Sequence, residues 1–133
     1  MRGIKVLVVD DEPDSASLVK RVLEDCHAEV QSATSMEEAL RKFTACHPDV
    51  LLSDIGMPEH DGYELIRRVR ELPGGEGVPA AALSALARAE DVDRALHAGF
   101  QTHVAKPLEP SALVLVVEKL ASQSPESSPP HSI

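Results

Sequence analysis

Asp49-Val50-Leu51-Leu52-Ser53-Asp54-Ile55-Gly56-Met57-Pro58 decides the fold. The apolar run Val50 to Leu52 is too short for a helix. It ends on a carboxylate, with Gly56 and Pro58 close behind, so it reads as a buried strand stopped by a turn. A carboxylate at the tip of such a strand lies at the edge of a core, where open α/β sheets bind ligands. Asp54 is therefore the centre from which the rest of the chain is read.

On either side of it the chain alternates. Ile4 to Val9 is a first strand, followed by Asp10-Asp11-Glu12-Pro13. Pro suits the first turn of a helix, and acids there complement the helix dipole. Leu18, Val19, Val22, Leu23 and Cys26 stripe that helix. Glu29 to Ala33 is a second strand. Ser35 and Glu38 form a capping box for a helix striped by Met36, Ala39, Leu40 and Phe43, and His47-Pro48 stops it. After the Asp54 strand, Asp61 and Glu64 offer another capping box, and Leu65, Ile66, Val69 and Leu72 stripe a third helix. Val78 to Leu83 is a fourth strand with Ser84 at its end. Val92, Ala95 and Leu96 mark a fourth helix, closed by Gly99 as a left-handed cap. Thr102 to Ala105 is a fifth strand leading to Lys106-Pro107. Pro110 opens a fifth helix striped by Leu113, Val116, Val117 and Leu120. Five short apolar strands alternating with five helices predict an α/β domain, a doubly wound parallel sheet covered on both faces. Residues 1–121 form this domain. Residues 122–133 are Ser/Pro-rich and read as a disordered tail or a linker stub.

Composition narrows the function. The 133 residues carry a net charge of −9, which disfavours direct binding to DNA or to an anionic membrane. Aromatics are 2%, too few for stacking platforms on single-stranded nucleic acid. No apolar run is long enough to span a membrane. Cys26 and Cys46 have neither metal nor redox spacing, and as reduced thiols they point to a cytoplasmic protein.

In a right-handed parallel sheet all strand ends of one sense share a rim. That rim holds Asp10 and Asp11 after the first strand, Asp54 on the third, Ser84 on the fourth and Lys106 on the fifth. Each alone is ordinary: a helix-start acid pair, a turn acid, a capping hydroxyl, a solvated lysine. Together they make a site. At an effective dielectric near 20 and ~4–5 Å, each carboxylate pair repels by roughly 3–4 kcal/mol before screening. A hard divalent cation, Mg²⁺ or Mn²⁺, offsets this, and Lys106 offsets one charge. The site can then accept a phosphoryl group, with Ser84 donating to one of its oxygens and an Asp54 oxygen attacking phosphorus in line.

Val8-Val9-Asp10-Asp11-Glu12, Ser53-Asp54-Ile55-Gly56-Met57-Pro58 with Asp61-Gly62, Leu83-Ser84-Ala85, and Ala105-Lys106-Pro107 resemble the receiver domain of two-component response regulators. The motifs occur in order and cover about residues 4–121. The resemblance implies a flavodoxin-like fold with strand order 2-1-3-4-5. It implies Asp54 as phospho-acceptor. Asp11, Asp54 and the Gly56 carbonyl would be direct metal ligands, with Asp10 acting through water. Lys106 would pair with the phosphoryl group, and Lys106-Pro107 would be cis. Ser84 would be the switch hydroxyl, where many members carry Thr. His103 stands at the switch position, where many carry Tyr or Phe, so its movement would depend on pH. Gly56 and Leu86 occupy positions that tune phosphoryl lifetime. The Asp54 and Asp61-Gly62-Tyr63-Glu64-Leu65 motifs resemble receivers joined to hybrid sensor kinases. The implied partners are a histidine kinase or histidine phosphotransfer protein as donor and an output partner at the helix four–strand five–helix five face. Ala112, Val114 and Leu115 widen the apolar surface of the fifth helix, which predicts a homodimer or docking contact there.

Two other readings compete. An Asp-nucleophile, Mg²⁺-dependent phosphohydrolase would carry a second acid two residues after the nucleophile, and Gly56 stands there. A phosphate sink, or a degenerate receiver without output, is the other. The expectation is a signalling domain and not an enzyme.

Overall fold

A computed structural model describes residues 3–55, 62–84, 89–105 and 109–122. The elements are β1 (Lys5–Val9), α1 (Pro13–Asp25), β2 (Glu29–Ala33), α2 (Met36–Cys46), β3 (Val50–Asp54), α3 (Gly62–Glu71), β4 (Ala80–Ser84), α4 (Ala89–Ala98), β5 (Thr102–Ala105) and α5 (Pro110–Ala121). All strand pairs are parallel, in the order β2-β1-β3-β4-β5, as expected.

The pleat divides the core. Leu7, Val9, Leu51, Ala80 and Ala82 point to one face, where Met36 and Phe43 of α2 and Leu65, Ile66 and Val69 of α3 cover them. Val6, Val8, Val50, Leu52 and Leu83 point to the other, under Val19 and Leu23 of α1 and Leu113, Val117 and Leu120 of α5. The central strands are apolar on both faces because both are covered. The edge strand β2 alternates only at its start, where Val30 is buried between the exposed Glu29 and Gln31; Ala33 is buried on the opposite face from Val30. Among the described residues no helix is long and apolar enough to cross a membrane.

Several details depart from the sequence reading. Leu18 and Leu96 extend the expected stripes but are each 44% exposed, because α1 and α4 each present a narrower strip to the sheet. β4 begins at Ala80, two residues later than expected, and α3 ends before Leu72. Ser35 Oγ accepts from the Glu38 N–H at 3.2 Å, but the Glu38 carboxylate reaches the Thr34 N–H at 2.8 Å, one residue beyond the expected partner. Gly99 has φ +131°, positive but outside the left-handed helical well; its N–H bonds Ala95 O and Leu96 O. Cys26 lies just past α1 and both cysteines are free thiols. The Asp61 cap, the Lys106-Pro107 bond, Leu86 and the tail from 123 lie outside the described residues.

The rim opposite the strand tips is pinned by two groups. Asp49 is buried and bonds the start of β1 twice: its Oδ2 accepts from the Lys5 N–H at 2.9 Å, and its own N–H donates to Lys5 O at 2.7 Å. Arg70 of α3 donates to the carbonyls of Gly75, Val78 and Gly99 and to Gln101 Oε1. Burial lowers its pKa from the usual guanidinium value. With this rim fixed, the strand tips opposite are held at a set height.

Candidate functional site

Register places the site. Val9 pairs with Ser53, so Asp10 and Asp54 follow at one level on adjacent strands. Asp54 pairs with Leu83, and Ser84 pairs with Ala105. Neighbouring strands lie about 4.8 Å apart, so these tips converge without any long side chain.

Asp10 is fully buried. Its N–H still donates to Ala33 O at 3.0 Å, completing the ladder to β2. Its Oδ1 accepts from the Glu12 N–H at 2.9 Å, an Asx-type turn that ends the strand and aims the chain into α1. Glu12 stands at the helix cap yet its own side chain makes no capping bond. Asp10 thus fixes the turn on which the exposed Asp11 is presented. Asp54 closes β3 half-buried, and beside it Ser53 Oγ donates to Asp54 O at 3.1 Å. One carboxylate oxygen from each of Asp10, Asp11 and Asp54 lies within 4.8 Å of the others. This is an all-oxygen, all-anionic set, which matches what a hard divalent cation requires. Ser84 is buried at the tip of β4.

Of the residues expected from sequence, Asp10, Asp11 and Asp54 are brought together as one cluster, and Ser84 stands on the same rim. Lys106 and Gly56 lie outside the described residues. His103 pairs with Ala82 in register, and its Nε2 is enclosed and makes no hydrogen bond among the described residues.

A family model described as the response regulator receiver domain matches residues 6–118. The chain belongs to that family. Receiver domains are signalling modules. A 14.6 kDa protein of Leptolyngbya boryana, encoded in the sodA1 3′ region, is 48% identical over 114 residues, which cover 86% of this chain and 87% of that protein. Sensor protein EvgS of Escherichia coli O157:H7 is 35% identical over 105 residues, covering 79% of this chain but only 9% of EvgS. Among solved structures, the chemotaxis protein CheY4 of Vibrio cholerae superposes with a TM-score of 0.85 at 29% identity, covering 88% of this chain and 98% of that one. The receiver matches both proteins of its own size and a small part of a much larger sensor, so the family does not fix its covalent context.

Two residues of structural weight were not singled out from sequence. Asp49 looks like one more loop acid, and Arg70 looks like one more surface base beside Arg67 and Arg68. Their partners lie in segments distant in sequence, and no local signal marks them.

Proposed function

We propose that the chain is a phospho-accepting receiver in which Asp54 takes a phosphoryl group from a phosphohistidine on a histidine kinase or histidine phosphotransfer protein. The approach of Asp10, Asp11 and Asp54 to within 4.8 Å carries this reading. The cluster would hold a Mg²⁺ or Mn²⁺ ion, joined by the Gly56 carbonyl, and the ion supplies charge neutralisation for phosphoryl oxygens. An Asp54 carboxylate oxygen forms the new O–P bond while the N–P bond of the donor breaks and its electron pair stays on the imidazole nitrogen. Lys106 pairs with the transferred group and Ser84 donates to one of its oxygens. The inward pull on Ser84 and a shift of the His103 ring then bias the α4–β5–α5 face toward a second state read by an output partner.

The active product is a modified protein, so the chain acts as a switch and not as a turnover enzyme, in the cytoplasm where such donors act. Residues 1–121 form the switch and 122–133 its tail or linker. On α5, Leu115 is 66% exposed and Ala112 is exposed, beside a groove lined by Val22 and Cys26 of α1 and by Val114. This surface supports a docking or homodimer contact.

The test is incubation with a small acyl phosphate and Mg²⁺, read by intact mass. The native protein gains one phosphoryl group and Asp54→Ala gains none. Equal gain by the variant, or none by the native protein, overturns the proposal. Steady release of phosphate from a simple phosphomonoester would favour the hydrolase reading.

A further inference from the structure

α4 is held unevenly. Its C-terminal end is fixed: Gly99 packs so closely that an added Cβ would lie 3.2 Å from Ile66 Cγ1, and Gly99 O accepts from Arg70 at 2.6 Å. Along the helix itself, Ala95 is the only fully buried side chain among the described residues, while Glu90, Asp93, Arg94, Leu96 and His97 are exposed. The described core contacts of α4 are the buried Ala95 and the partly buried Ala98, both small, so burial alone seats the helix weakly. The described contact that holds its middle is a ring: Arg94 Cζ lies 4.3 Å from the centroid of Tyr63. Tyr63 is 5% exposed and belongs to the first turn of α3. α3 is the next helix after Asp54, and α4 is the next after Ser84. The stack therefore joins the two elements immediately downstream of the phospho-acceptor and the switch hydroxyl.

We propose that the Arg94–Tyr63 stack is a latch that holds α4 in its resting position and is released on phosphoryl transfer. This rests on the Asp54 reading above. Movement of Ser84 toward a phosphoryl group on Asp54 shifts the N-terminal end of α4, and the helix pivots about its fixed Gly99 end. The guanidinium then leaves the ring. Coupling is reciprocal: whatever releases the latch also favours phosphorylation. A cation over an aromatic ring at an exposed site shifts an equilibrium about two- to fivefold, and a donor that reacts with the released state sees that fraction directly.

The chain has one tyrosine and no tryptophan, so its intrinsic emission reports Tyr63 alone. The experiment follows emission and intact mass together during incubation with an acyl phosphate and Mg²⁺. In the native protein, emission changes in step with phosphoryl gain. Arg94→Met, which keeps chain length and loses charge, starts at the emission of the phosphorylated native protein. It shows no further change, and it is phosphorylated about two- to fivefold faster. Arg94→Lys restores the native rate. A merely structural Arg94 would lower the melting temperature without speeding phosphorylation. Phosphoryl gain with constant emission, or a native rate for Arg94→Met, overturns the latch and leaves Asp54 as acceptor. Failure of the native protein to gain a phosphoryl group overturns both.

Discussion

Asp11→Asn should make the metal-free protein more stable and greatly weaken its response to Mg²⁺. Asp11 shares a cluster with Asp10 and Asp54 whose oxygens lie within 4.8 Å of one another. At that separation a like-charge pair repels by about 3.5 kcal/mol at an effective dielectric of 20 and by about 0.9 kcal/mol in water. Asp11 is exposed, so the lower figure governs. Neutralising it removes two such pairs, and the expected gain is about 1–2 kcal/mol, or roughly 4–8 °C in melting temperature for a domain of this size. Mg²⁺ reverses the order. At a hundred times its dissociation constant it stabilises the native protein by about 2.7 kcal/mol, and it stabilises the variant far less. Thermal unfolding followed by circular dichroism, first in chelator and then across a Mg²⁺ titration, reads both effects. Added monovalent salt in chelator should narrow the gap between the two proteins, because it screens the repulsion. The reasoning is refuted if the variant is no more stable in chelator, or if Mg²⁺ raises both melting temperatures equally.

Three further outcomes concern the frame around the site. Gly75→Ala would place a Cβ 1.8 Å from Val69 O, so it should cost about 3 kcal/mol in urea unfolding. Arg70→Lys keeps the charge but cannot fork among the Gly75, Val78 and Gly99 carbonyls, and should cost about 2 kcal/mol by the same measurement. The Thr34 N–H, helped by Lys42, holds the Glu38 carboxyl below its ordinary value of 4.5. Its stabilising contribution is therefore present above pH 4.5 and is lost as pH falls through the lower folded value. The stability gap between the native protein and Glu38→Gln should shrink on acidification below that point and stay constant above it.

What the sequence disclosed follows from what is local. The strand at Val50–Asp54, the acids after Val9 and the hydroxyl at Ser84 were legible because apolar runs ending in turn residues mark strand tips, and tips of parallel strands share a rim. Nothing local marks Asp49, whose partner Lys5 is 44 residues away, or Arg70, which braces loops that follow it. Leu18 and Leu96 mislead because helical spacing shows that a stripe exists but not how wide a strip the sheet will cover. His27 and His47 adopt positive φ, where glycine is the usual signal. The Arg94–Tyr63 contact was invisible for the same reason as Arg70: it depends on how two helices lie against each other.

The claim on which all else depends is that one carboxylate of the three takes the phosphoryl group. Borohydride reduction of the acyl-phosphate-treated protein, followed by peptide mass spectrometry, reads the modified position directly, because an aspartyl phosphate is reduced to homoserine. The account predicts homoserine at position 54 alone. Homoserine at position 10 or 11, or a phosphoryl group on a residue that borohydride leaves untouched, would contradict it.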